Sequence, residues 1–131
     1  MLKHLFLSAL FFLLAGSIKV TAQEADSLRK EAVMTFFSKI DQGNFEAARK
    51  MYSKEYQTKF DSTALKNVYQ DFVKDAGNFI DIGEFIIHQE NGMYLCDTKA
   101  VYEKKWIYYK VALNSKNQIL GFIPTFQEPK Q

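Results

Sequence analysis

Cysteine and histidine are almost missing from this chain: Cys96 is its only cysteine, and His88 is the only histidine after residue 22. A lone cysteine excludes an internal disulfide, so the fold has to rest on packing. Neither His-x-x-His nor Cys-x-x-Cys spacing occurs, which removes the usual zinc sites and leaves a Ser-His-Asp arrangement without support. No metal and no cofactor is expected. Proline and glycine are scarce too, at 2 and 6 residues, and they do not gather into a linker. With no internal repeat and no low-complexity tract, residues 23–131 read as one domain with one core.

Long apolar runs are also lacking. The longest, Leu5 to Ala15, falls short of the about 20 apolar residues that a membrane-crossing helix needs. It follows Lys3 and His4 and leads to Val20-Thr21-Ala22, the pattern of a secretory signal peptide over residues 1–22, with cleavage after Ala22 leaving Gln23 first. Ser17 stands where a lipoprotein signal would carry cysteine. The expectation is an exported protein, periplasmic or secreted, with no membrane anchor after cleavage. Loss of Lys3 and Lys19 with that segment takes the 17 Lys and Arg down to 15, equal to the 15 Asp and Glu. A balanced chain without a basic patch argues against nucleic-acid binding.

What the chain has in quantity is aromatic surface, with 12 Phe and 7 Tyr, enough to build a core without disulfides. From Asp26, the residues Leu28, Ala32, Phe36 and Ile40 recur every fourth position, with Val33 and Phe37 one step round. That spacing predicts an amphipathic helix ending at Gly43. Asn44 is placed to cap a second helix carrying Phe45, Ala48 and Tyr52. After a looser stretch, Asp61 or Ser62 caps a third, with Leu65, Val68, Tyr69, Phe72, Val73 and Ala76 on one face and Gly77 as its stop.

From Asn78 the period changes to two and predicts strands. Asn91-Gly92 between alternating runs marks a tight hairpin, since both turn positions need positive φ. Its register puts Ile87 against Cys96, Phe85 against Thr98, Gly83 against Ala100 and Asp81 against Tyr102, with Glu84 facing Lys99 on the other surface. If Lys104-Lys105 makes the next turn, Tyr102 faces Ile107, Ala100 faces Tyr109 and Cys96 faces Leu113. A last strand, Gln118 to Ile123, adds Leu120 and Phe122 to the apolar side. The fold class is α+β: three N-terminal helices packed on a strongly curved four-stranded antiparallel sheet, with Gly83 as a bending point.

Three stretches carry a resemblance: "DQGNFEAARKMYSKEY" at the first helix junction, "STALKNVYQDFVKDAGNFIDI" from the third helix into the first strand, and "NSKNQILGFIPTF" at the end. Together they resemble the bacterial family catalogued as domain of unknown function 3887, and the order of elements resembles the nuclear transport factor 2-like cone. That superfamily includes enzymes, non-catalytic ligand binders and dimerising modules, so the resemblance implies a fold and leaves function to the site.

Four groups of residues are candidates for a site. Asp81 and Tyr102, facing each other in the expected register, could serve a small isomerase or hydrolase-like enzyme as carboxylate base and phenol donor; the competing reading makes Asp81 a turn residue. Tyr52, Tyr56, Tyr69 and Tyr109 could line a pocket for a small apolar ligand, or be core. Ile82, Val101, Trp106 and Tyr108, with Ile123, form an apolar cluster on the outer sheet face that suits a homodimer or another protein partner, unless the tail "TFQEPKQ" folds over it. His88 is expected on the polar surface beside Glu84, Lys99 and Asp97, and Cys96 inside as apolar filler. A non-catalytic exported binding or interaction module is the expected function, with the Asp81 and Tyr102 enzyme as alternative.

Overall fold

The computed structural model describes residues 20–125. Most of the expected signal segment, residues 1–19, and the tail from residue 126 lie outside the described residues. Among the described residues four helices come first: α1 (Ala22–Asp41), α2 (Phe45–Arg49), α3 (Lys54–Gln57) and α4 (Ser62–Phe72). Four strands follow: β1 (Phe79–Glu90), β2 (Met93–Tyr102), β3 (Trp106–Leu113) and β4 (Ile119–Thr125), forming one antiparallel sheet in sequence order. The architecture is α+β with one more helix than expected. The addition, α3, is a single turn inside the stretch read as loose.

Helix α1 starts four residues before Asp26 because Thr21 caps it. The Thr21 side chain accepts from the Glu24 amide while the Glu24 side chain accepts from the Thr21 amide, so two otherwise orphaned donors are satisfied. At the other end Gly43 takes φ of 80° and closes the helix, and the Asn44 side chain accepts from the Ala47 amide to open α2. Asp61 caps α4 in the same way, 2.7 Å from the Ala64 amide. That helix ends earlier than expected, at Phe72; Val73 to Ala76 form a turn in which Asp75 has positive φ, and Gly77 follows at φ of 77°.

The buried stripe of α1 (Val33, Phe36, Phe37 and Ile40) packs on the sheet. The Phe37 ring lies 4.8 Å from Tyr109 and 5.8 Å from Phe122, and the Phe36 ring lies 5.3 Å from Phe122. The link between α2 and α3 is tied to β4 by a short parallel bridge: the Ser53 amide donates to the Ile119 carbonyl and the Ile119 amide to the Met51 carbonyl.

Strand pairing follows the Asn91-Gly92 turn as expected from Glu90 and Met93 down to Phe85 and Thr98. There it slips. An irregularity between Ile82 and Phe85 adds one residue to β1, so Ile82 pairs with Ala100 and Asp81 with Val101; a second leaves Phe79 opposite Tyr102. Because side chains alternate faces with period two, one extra residue sends each following side chain to the opposite face. The expected pairs Gly83 with Ala100 and Asp81 with Tyr102 are therefore replaced, and Ile82 and Asp81 exchange sides.

The second hairpin is offset by two residues: Ala100 pairs with Ile107, Thr98 with Tyr109 and Cys96 with Val111. Its turn is longer because it is anchored elsewhere. The Glu103 amide donates to the Asn78 carbonyl, the Lys104 amide to the Ala76 carbonyl, and the Glu103 carboxylate accepts from the Asn78 amide. Gly77 makes room for this contact, since a Cβ there would lie 2.9 Å from the Glu103 Cβ. An even offset preserves the faces, so the expected apolar set stays together. In β4 an extra residue, Leu120, puts Ile119 opposite Leu113, and Ile119 rather than Leu120 is fully buried.

Candidate functional site

The two faces of the sheet hold different chemistry. On the helix-covered face, the Tyr102 hydroxyl lies 3.2 Å from that of Tyr69 and 3.2 Å from that of Tyr109, a buried chain of three phenols. Aromatic rings close around it: Phe79 is 5.7 Å from Tyr102, and Phe72 is 6.2 Å from Tyr109. Burial pushes the Tyr69 phenol up to about 12 and raises Tyr102 and Tyr109 further. All three remain protonated hydroxyls that can donate and accept but do not act as bases. Tyr52 is likewise buried, its phenol raised by desolvation, and its ring stacks with Phe60. Tyr56 is half-buried, with the Lys59 ammonium 5.0 Å above its ring. Of the four tyrosines proposed to line a pocket, three are thus core residues.

Asp81 is not opposite Tyr102. The slip at Gly83 and Glu84 places it against Val101, on the open face, where its carboxylate accepts from the Ile82 amide at 2.7 Å. Tyr102 points the other way, into the phenol chain. The same slip takes Ile82 out of the expected surface cluster and into the core.

The rest of that cluster holds. Val101 pairs with Trp106, Lys99 with Tyr108 and Lys110 with Ile123. Trp106 is 60% exposed and Ile123 59%. The Lys99 ammonium sits 3.5 Å above the Trp106 ring and 5.9 Å from that of Tyr108, a cation–π contact. At the rim where α4 meets the start of β3 and the end of β4, an open cleft of about 470 Å³ includes Phe72, Trp106, Tyr108 and Pro124 in its walls.

Beside the apolar patch, His88 Nε2 lies 3.2 Å and Lys110 Nζ 3.7 Å from the carboxylate of Asp97, which is 9% exposed. His88 therefore has the surface position and acidic neighbour expected of it. Cys96 is fully buried, and desolvation pushes its thiol up to about 12 against the opposing pull of the Arg29 charge; a thiol so raised is not a nucleophile at neutral pH. Arg29 itself went unnoticed in the sequence, although it falls four residues before Val33 on the buried stripe of α1. That spacing was the available signal.

A layer of helices on one face of a four-stranded antiparallel meander, with the other face uncovered among the described residues, defines a small α+β domain. The family model described as protein of unknown function (DUF3887) matches residues 33–122, and the chain belongs to that family. No curated protein and no solved structure matches it.

Proposed function

We propose that this domain is an exported, non-catalytic interaction module of the nuclear transport factor 2-like type, pairing with a second copy of itself through the open face of the sheet. The observation that carries the reading is the joint exposure of Trp106 and Ile123, beside Val101 and Tyr108 on that face. An exposed apolar cluster with an aromatic anchor is what a protein interface requires. Charge favours a second copy as occupant. Asp81 and Glu84 lie exposed at the β1 edge while Lys99 and Lys110 lie on the central strands, so an offset two-fold pairing that lays β1 of each copy over the central strands of the other would match acid with base. Equal numbers of acidic and basic residues after signal removal leave no net repulsion between copies. The helix layer followed by a bulged antiparallel sheet supports the superfamily assignment, and the motif Val20-Thr21-Ala22 supports export.

Sedimentation of the protein purified after export tests this. A wild-type dimer that Trp106→Asp converts to a folded monomer is the expected result. A wild type that remains monomeric at tens of micromolar overturns the proposal.

A further inference from the structure

Thr21 and Glu24 build the cap of α1, and Thr21 lies on the signal side of the cleavage point read after Ala22. Cleavage there removes more than an address. The Thr21 hydroxyl that accepts from the Glu24 amide at 3.1 Å goes with it, and so does the Thr21 carbonyl that accepts from the Ala25 amide at 2.9 Å. The chain then starts at Gln23, an exposed residue inside the first turn of α1.

A new α-ammonium is badly placed at that point. The first amides of a helix are unpaired and form the positive end of its dipole, so a cation among them is unfavourable. Glutamine can remove that charge with its own side chain, because attack of the α-nitrogen on the carboxamide carbon closes an unstrained five-membered ring. An α-amine has an ordinary pKa of about 8, so part of it is the free nucleophile near neutrality, and both reactants are already held in one residue. Asparagine, one methylene shorter, would have to close a four-membered ring.

We propose that Gln23 is a modification site: once the signal segment is removed, its α-nitrogen attacks its own Cδ, the N–Cδ bond forms, the Cδ–Nε2 bond breaks, and Nε2 leaves as ammonia with a proton from the α-amine. The product is a neutral pyroglutamyl lactam, and no oxidant, reductant or cofactor is consumed. The proposal rests on the export reading, with cleavage after Ala22. It leaves Glu24 and Asp26 as the next charged side chains at the positive end of the dipole, where acidic groups are favourable. Ring closure at an exposed residue displaces no packed side chain, since the buried stripe of α1 begins further on, at Val33. It also gives the chain a start that an exopeptidase requiring a free α-amine does not engage.

The test takes the full chain, made with its signal segment in the cells that export it natively and recovered after export without storage. It is weighed intact by mass spectrometry, and its first tryptic peptide, ending at Arg29, is sequenced by fragmentation. The expected result is a chain that begins at residue 23 and is lighter than the open form by about 17 Da, one ammonia. The deficit should map to the first residue and be absent from Gln23→Asn. A chain that starts at Gln23 with its full mass overturns the proposal and leaves export standing. A chain that starts elsewhere, or keeps residues 1–22, overturns the proposal together with the cleavage on which it rests. A deficit that persists in Gln23→Asn or maps to another residue also overturns it. Should Gln23→Asn block processing, the wild-type mass and fragments still decide.

Discussion

The two faces of the sheet come from alternate residues of the same strands, yet among the described residues one is covered by helices and the other is not. On the helix side, Tyr102, Thr98, Tyr109 and Val111 are each no more than 2% exposed; on the open side, two residues of the same strands' apolar cluster stand more than half in solvent. Hydrophobicity does not separate them, since Trp106 and Ile123 are as apolar as anything inside. Coverage does. What the difference teaches is that parity along a strand decides a residue's role here, and that a single inserted residue can reverse it.

The sharpest way to break the comparison is to exchange the two side chains that the slip sorts between the faces. The double variant Asp81→Ile, Ile82→Asp should turn a carboxylate into the core and an aliphatic side chain toward water. An unpaired buried charge together with a lost buried aliphatic should cost several kcal/mol, and circular dichroism melting should show a chain unfolded or strongly destabilised. A wild-type melting temperature would mean that the bulge does not set the faces.

Alkali should act on the closed face. Tyr69 has a folded pKa raised to about 12 and an ordinary value near 10, so its contribution is fully present below about 10 and is lost as pH rises toward 12. Cys96, raised from 9 to about 12, has the same sign from about 9 upward. The urea midpoint should hold steady between neutrality and pH about 9, then fall; Cys96→Ala should delay the onset. A midpoint that fell equally early in that variant would remove the thiol from the account.

A smaller effect should come from Tyr102→Phe. Its hydroxyl is the shared partner of Tyr69 and Tyr109, so the variant leaves two buried hydroxyls unpaired and should lose about 2 kcal/mol in urea unfolding. Tyr109→Phe removes only an end of the chain and should lose less; equal losses would contradict a linear arrangement. The smallest effect belongs to the open face. Trp106→Ala, measured in dilute monomer, should change stability by no more than about 0.5 kcal/mol, as surface substitutions generally do, even though the same change is expected to disrupt pairing.

Much of this arrangement was legible because it rests on local chemistry. Gly43 and Asn44, Asp61, and Asn91-Gly92 each announce a stop, a cap or a turn through their own backbone preferences, and the structure uses each of them so. The faces of β2 and β3 were legible as well, since the second hairpin missed its register by an even number. The three inserted residues were not. Ile80, the Gly83-Glu84 slip and Leu120 interrupt alternation without any residue that demands it; Gly83 marked a bend but not which way the count would change. The second turn depended on Ala76 and Asn78, far away in sequence, holding Glu103 and Lys104. The candidate site suffered accordingly: Asp81 and Ile82 were exchanged by one slip, while Trp106, Tyr108 and Val101, beyond its reach, stayed where periodicity put them.

The bridge between Tyr52 and Ile119 has a consequence in time as well as in space. It joins the middle of the helical layer to the start of the last strand, so that layer cannot lock until nearly the whole chain is present. Contacts between such distant positions pay loop-closure entropy before they return anything, and they slow folding. A chain that emerges from one end therefore leaves this junction unmade until its final strand has arrived.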